Sequence, residues 1–345
     1  MGRSNDSPPA RPAAHDADQI PRDSTRVGWP CGLGYAAAGR RFARRRTQGA
    51  NMSQKKTVAF VGLGQMGHPM SGHLAKAGHR IRAFDALRDT LAGVAAEIGA
   101  TVCASAAEAA QGADALITML PEGKVVRKVL LDDGAAAALP KGATVIDMSS
   151  SDPVGTRALG EALAAQGLTL IDAPVSGGVA RARSAQLSIM AGGDAAAIEG
   201  VRALLETMGN RVFLTGPLGS GHAMKALNNY VSAAGLAAVC EALVVGRAFG
   251  LDPAAMNEVL NTSSGKNNTT EVKVAQFMLS GAFNSGFSAG LMAKDLATAA
   301  DLAEAMGIAA PFAHDCVALW QKMVAALGTG ADHTEFFRFC ERAGR

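Results

Sequence analysis

The sequence predicts an α/β fold in two parts. A doubly wound, mostly parallel sheet comes first, and a long helix joins it to an all-helical C-terminal domain. Three observations carry this. Short apolar runs alternate with helical stretches from Thr57 to about Gly216, the alternation of a parallel sheet. A glycine-rich turn stands between the first strand and the first helix. After Gly216 the strand patterns stop, and helical ones run to the C-terminus.

A chain of 345 residues suits two domains, and 48% apolar with 5% aromatic residues fits an Ala/Gly-rich α/β protein. The formal net charge of +3 is unevenly spread. The first fifty residues hold nine arginines, four aspartates and no lysine, which leaves the remainder at −2. A near-neutral body argues against a nucleic-acid surface. The five cysteines are scattered without a C-x-x-C pair. That argues against a disulfide framework or a cysteine metal site and suits a reducing cytoplasm. No run of eighteen uncharged apolar residues occurs, so no membrane span is expected.

Residues 1–51 show scattered prolines, an arginine cluster and no sustained periodicity, and read as a disordered extension. Four aspartates count against a targeting peptide, and the blandest account is an upstream extension with Met52 as the natural start. A G-x-G-x-x-A match at 32–37 lacks a preceding strand and is set aside.

From Thr57 to Val61 runs an apolar strand, then Gly62-Leu63-Gly64-Gln65-Met66-Gly67, then a helix to about Ala77. In this setting Gly62 makes the tight turn, Gly64 admits a pyrophosphate, and Gly67 lets helix and strand pack closely. The pyrophosphate would lie at a helix N-terminus, where free N–H groups favour anions. A second strand, 80–84, ends in Asp85, 23 residues past Gly62. A carboxylate there accepts ribose hydroxyls and repels a 2′-phosphate, so NAD is expected over NADP; Arg88 softens that preference, and a plain turn is the other reading of Asp85.

Strands over 115–120, 143–147 and 168–172 follow. Ligands bind beyond the carboxyl ends of such strands, so Leu120, Pro121, Ser150 and Ser176 converge on the rim that holds the glycine turn. Ser149 to Ser151 read equally well as caps of the helix that follows. Ser176-Gly177-Gly178 exposes successive backbone N–H groups suited to a carboxylate, with a simple turn as the alternative. Two short strands, 186–190 and 211–213, complete the sheet, with a helix over 194–207 between them.

Helices are expected over 221–249, 253–261, 266–279, 288–306 and 310–327, with a last one from Thr334. In the first, Lys225 and Asn229 stand one turn apart on one face. An amine beside an amide can move a proton and hold the same molecule. Alone, the pair also reads as solvated surface polarity. The apolar run after it, Val231 to Leu243, marks a buried helix whose polar start faces a cleft. Lys294-Asp295, inside an apolar turn, reads as an ordinary surface pair or as a second element facing that cleft.

Four motifs in order give a resemblance. They are Phe60 through Met70, Asp172 through Gly178, Gly221 through Asn229, and Lys294-Asp295-Leu296. Together they resemble the β-hydroxyacid dehydrogenase family, which includes 3-hydroxyisobutyrate dehydrogenase and tartronate semialdehyde reductase, over about residues 57–335. The resemblance implies a Rossmann-type dinucleotide-binding domain at 52–215 and a helical substrate and dimerisation domain at 216–345. It implies Lys225 as general acid/base, Asn229 as its substrate-holding partner, and Ser176, Gly177 and Gly178 as the carboxylate site. Gly62, Leu63, Gly64, Gln65, Met66, Gly67, Asp85, Leu120, Pro121, Ser150 and Lys294 then belong to an NAD site, with NADP an alternative, and no metal is called for. A homodimer or homotetramer is expected, because the helical domain usually forms the contact.

There are departures. His73 replaces a usual asparagine, and the 263–271 segment lacks a tryptophan found near Asn267 in several members. That segment lines the substrate side in relatives, so the departure bears on which hydroxyacid is used. A branched 3-hydroxyacid, tartronate semialdehyde or a sugar acid are the substrate alternatives. A non-catalytic dinucleotide sensor or an imine reductase would normally lack the lysine.

Overall fold

The computed structural model describes residues 55–343. The readings of the extension at 1–51, including its glycine motif, lie outside the described residues.

The first strand, β1 (Thr57–Val61), is buried at every position, as a central parallel strand covered on both faces must be. Helix α1 (Gly67–Lys76) returns the chain to β2 (Arg80–Phe84). Then come α2 (Arg88–Ile98), the edge strand β3 (Thr101–Val102), α3 (Ala106–Ala110) and β4 (Ala115–Thr118). Helices α4 (Gly123–Arg127) and α5 (Ala135–Ala138) flank a π-helical turn and precede β5 (Thr144–Asp147). Helix α6 (Pro153–Ala164) leads to β6 (Thr169–Asp172) and β7 (Val175–Ser176). Helix α7 (Gly178–Arg183), β8 (Leu187–Gly192), α8 (Ala195–Met208) and β9 (Gly209–Gly216) end the sheet region.

The strand order is β3-β2-β1-β4-β5-β6-β8-β7, with β9 paired to β8. Strands β1 to β6 pair in parallel. The sheet is mostly parallel, as expected; at its far edge β8 runs antiparallel to β6 and β7, and β9 is parallel to β8. The chain continues from β6 into β7 and returns through the six-residue α7, which brings β8 back antiparallel to both. Side chains alternate along each strand, so Val58 and Phe60 join one buried cluster while Ala59 and Val61 join the opposite one.

Helix α9 (Ser220–Phe249) then spans thirty residues. Helices α10 (Pro253–Thr262), α11 (Ala289–Ala305), α12 (Pro311–Leu327) and α13 (Phe336–Ala343) follow it. Their cores meet around Leu236, Cys240, Leu296, Trp320 and Phe336. Asp252 caps α10 through the Ala255 N–H, with Pro253 at the first helical position. The helix expected from 266 begins at Thr269 and has π-helical hydrogen bonding, because the Asn267 side chain and carbonyl hold the preceding turn. The last helix starts at Phe336 after a 3₁₀ turn at 333–335.

By length and composition α9 is apolar enough to cross a membrane, a test that a core helix also passes, and the charges Glu241 and Arg247 interrupt it. One side of the helix packs against β8, β9, α11 and α13, while apolar Val231, Val245 and Phe249 on its remaining surface stay exposed.

Candidate active site

The strand order reverses between β1 and β4, which opens a crevice beyond their carboxyl ends. The glycine turn occupies it. Gly62 has φ +97°, and a Cβ there would stand 2.3 Å from the Met119 carbonyl oxygen. A Cβ on Gly67 would stand 1.9 Å from the Gly62 oxygen, so only glycine lets α1 close on the turn. Gly64 differs: it is exposed and a Cβ would meet nothing within 4 Å. Two of the glycines are thus required by the fold, and the third keeps open the approach a pyrophosphate needs. Leu63 is buried, Gln65 exposed and Met66 half-buried at the helix start. This geometry fits a dinucleotide.

Asp85 is tied to that turn. Its carboxylate accepts the Leu63 N–H at 2.6 Å and the Leu87 N–H at 2.8 Å. A carboxylate has about four acceptor positions, so two remain for ribose hydroxyls. Arg88, one turn on, gives its guanidinium to the Ala104 carbonyl at 2.9 Å.

The ends of β4 and β5 meet α11 through one side chain. Lys294 Nζ donates to the Ser150 carbonyl at 2.8 Å and the Pro121 carbonyl at 3.2 Å. Leu120, beside Pro121, gives its N–H to the Ser149 hydroxyl at 2.9 Å. Three predicted cofactor residues, Pro121, Ser150 and Lys294, are therefore brought into direct contact, with Leu120 next to them. The alternative of capping serines fails. Asp152 caps α6 through the Val154 and Gly155 N–H groups, and Ser151 instead gives its hydroxyl to Asp147 at 2.6 Å. A cavity of about 290 Å³ reaches from Ser150, Asp152 and Lys294 down to Asp147 and Thr156.

On α9, Asn229 is buried, and its amide donates to Asp295 at 2.5 Å while its carbonyl accepts from Asn228 at 3.1 Å. One amide N–H is left for a ligand. Asp295 is itself buried and also meets Lys294 Nζ at 3.2 Å. Lys225, one turn before Asn229, has its pKa pushed below the ordinary lysine value. Desolvation is the main cause; Asp295 works against it and Lys294 with it. The pair at 294–295 is thus not an ordinary surface pair. Two amines and one carboxylate are grouped there, an excess of basic groups suited to an anionic molecule.

Sequence reasoning gave Asp295 no role, and it gave none to Asp172 beyond its place in a motif. Asp172 ends β6, and its carboxylate accepts the Gly219 and His222 N–H groups, both at 2.8 Å, at the start of α9. A carboxylate at a helix N-terminus satisfies free donors and meets the positive end of the dipole. A Cβ on Gly221 would stand 2.2 Å from the Met190 oxygen, so glycine is what lets α9 seat against β8. The only signal for Asp172 was a carboxylate closing an otherwise apolar strand. Ser176 ends β7 half-buried, while Gly177 (φ +129°) and Gly178 (φ +64°) are exposed with left-handed backbones. Among the described residues no hydrogen bond joins these three to Lys225 or Asn229.

Two family models match. The NAD-binding domain of 6-phosphogluconate dehydrogenase matches residues 57–216, and the NAD-binding region of NADP-dependent 3-hydroxyisobutyrate dehydrogenase matches residues 219–340. The NAD-dependent L-serine dehydrogenase of Pseudomonas aeruginosa is 38% identical over 276 residues, 78% of this chain and 92% of that one. The 3-hydroxyisobutyrate dehydrogenase of the same organism is 41% identical over 261 residues, 74% and 87% of the two chains. Among solved structures, Mycobacterium tuberculosis 3-hydroxyisobutyrate dehydrogenase with L-serine superposes with a TM-score of 0.77 at 34% identity, covering 83% of this chain and 99% of that one. With the glycine turn, the shielded amine and these likenesses together, the chain belongs to the β-hydroxyacid dehydrogenase family and is an NAD(P)-dependent oxidoreductase of short hydroxyacids.

Proposed function

We propose that the protein interconverts a small β-hydroxyacid and its semialdehyde, with Lys225 as general acid/base. The observation that carries this is Lys225 itself, an amine on α9 with a lowered pKa, set among Asp295, Asn229 and Lys294. A nicotinamide cofactor held by the turn at 62–67 would supply the acceptor for the hydride of the carbinol carbon. Lys225 Nζ, in its neutral form, accepts the hydroxyl proton as that bond breaks. In the reverse direction its ammonium protonates the forming alkoxide. The remaining N–H of Asn229 holds the same oxygen. Ser176 and the amides of Gly177 and Gly178 hold the substrate carboxylate. An unperturbed lysine, with pKa about 10.4, is a poor base at neutrality, and the downward shift brings it toward the working range.

The cofactor contacts we assign are the turn at 62–67, Asp85, Leu120, Pro121, Ser150 and Lys294. Residues 52–215 form the dinucleotide domain in this reading, and 216–345 the substrate and oligomerisation domain. The Asp85 carboxylate favours NAD over NADP by repelling a 2′-phosphate. Exposed Val231, Val245, Phe249, Val259 and Phe312 in the helical half support self-association into a homodimer or homotetramer. Four buried free thiols, Cys103, Cys240, Cys316 and Cys340, are compatible with a cytoplasmic protein.

The substrate class is tested by scanning short hydroxyacids for NADH formation: 3-hydroxyisobutyrate, L-serine, glycerate and a sugar acid. L-Serine is itself a β-hydroxyacid, and a relative named for it, with a solved relative carrying it, favours its inclusion as a second reading. Absence of turnover across the panel in both directions would sink the proposal.

A further inference from the structure

Helix α7 follows directly on the Ser176-Gly177-Gly178 turn and is only six residues long. Its surroundings are poorly anchored. Gly177 and Gly178 hold positive φ, at +129° and +64°, which glycine adopts freely, and the segment ends on a strained residue, Ala185 at +54°. Its remaining hydrogen bonds are local, such as Ser184 N–H to the Ala180 carbonyl and Gln186 N–H to the Arg181 carbonyl. Ala182 is its buried apolar contact. Among the described residues, one side chain from outside gives residues 177–186 a hydrogen bond, and it is His73.

His73 lies on α1, the helix that closes the glycine turn. Its Nε2 stands 2.9 Å from the Ala182 carbonyl oxygen and 3.2 Å from that of Arg183. Both partners are acceptors only, so Nε2 carries the proton and is shared between two carbonyls at the C-terminal end of α7. The Ala182 carbonyl also accepts the Ala185 N–H at 3.3 Å, while the Arg183 carbonyl stands at the helix end, where such groups lack an intrahelical donor. His73 is half-buried on the wall of an open groove of about 470 Å³ formed with Lys76, Ile98 and Arg183. Truncating it therefore removes a tether without emptying a packed core.

We infer that His73 is a positioning residue for the substrate. By tethering the far end of α7 to the cofactor helix, it holds the Ser176–Gly178 turn, at the near end of α7, in its carboxylate-binding shape. The inference rests on the proposed role of that turn, and it predicts that the loss falls on substrate binding and spares cofactor binding. An unmet hydrogen bond of this kind corresponds to about a three- to tenfold change.

The test compares the full-length protein with His73→Ala and His73→Asn, using the hydroxyacid that the wild type turns over best. His73→Ala is expected to raise KM for the hydroxyacid about three- to tenfold. Its kcat and its KM for NAD should stay within about twofold of wild type, below the effect of one lost hydrogen bond. Asparagine, which keeps a donor N–H, should restore most of the lost KM. Backbone hydrogen exchange of residues 177–186, measured without substrate, should accelerate in the alanine variant and return toward wild type with asparagine. An unchanged hydroxyacid KM in His73→Ala, or a matching loss of NAD binding, overturns the inference. So does failure of asparagine to rescue. If the wild type turns over no hydroxyacid, the proposed function falls, while hydrogen exchange still decides whether His73 tethers this segment.

Discussion

The two ends of the cleft are built differently. At the glycine turn the contacts are mostly steric ones against backbone: Gly62 against Met119 and Gly67 against Gly62, with the Leu63 N–H on Asp85. At the amine pocket charged and polar side chains reach partners far apart in sequence: Asn229 on Asp295, Lys294 on the Pro121 and Ser150 carbonyls, Lys225 among them. The first arrangement depends on steric room at Gly62 and Gly67. The second depends on charge, and its chemistry can be retuned by neutralising one group without moving the backbone.

The sharpest way to break that contrast is Lys225→Ala. Turnover should fall by about 10²–10⁴-fold, the usual share of general acid–base catalysis, while NAD affinity measured by fluorescence titration stays at wild-type level. Near-normal turnover would reject the assignment.

A second prediction sets the helical half apart by its acid sensitivity. His333 is buried, with its pKa pushed down to about 4 by burial and by Lys273, against an ordinary 6.5. The unfolded chain then binds this proton more readily than the native one. Stability is complete above pH 6.5 and is lost as pH falls toward about 4, by roughly 3 kcal/mol at the limit. Denaturant midpoints measured across that window should drop for the wild type and stay flatter for His333→Gln. Parallel curves for the two proteins would remove His333 from the account.

Asp295→Asn should cost about 10- to 100-fold in kcat/KM, the range for a lost charge-assisted hydrogen bond. It should also move the pH–rate profile for oxidation toward acid. Asp295 holds the Lys225 pKa up, so neutralising it lets that pKa fall further. A profile moving toward alkali would mean that another group titrates in the rate.

The smallest effect belongs to the glycine end. Asp85→Ser should shift the NAD-to-NADP preference by about tenfold, equivalent to about 1.4 kcal/mol. Ratios of kcat/KM for the two cofactors measure it directly, and an unchanged ratio would place cofactor choice elsewhere, with Arg88 the next residue to vary.

Much of the dinucleotide end was legible in the chain because its signals are local. A strand, three glycines and a carboxylate lie within thirty residues, and two of the glycines, Gly62 and Gly67, answer to a steric demand that no other residue meets. The lysine and asparagine of α9 were legible for the same reason, since helical spacing puts them on one face. Asp295 was not, because a carboxylate beside a lysine looks the same in sequence whether it faces water or a buried amide 66 residues away. The antiparallel turn at β8 was hidden too, since apolar alternation carries no strand direction.

Local residue pattern thus determined the kinds of element, the cofactor turn and the helix bearing the amine, because each depends on neighbours within a few turns of chain. Only the tertiary fold decided that Asp295 steadies Asn229, that Asp172 seats α9, and that His73 reaches α7. Each of those contacts joins groups brought together by packing, and the sequence does not encode their distance or their exposure to water.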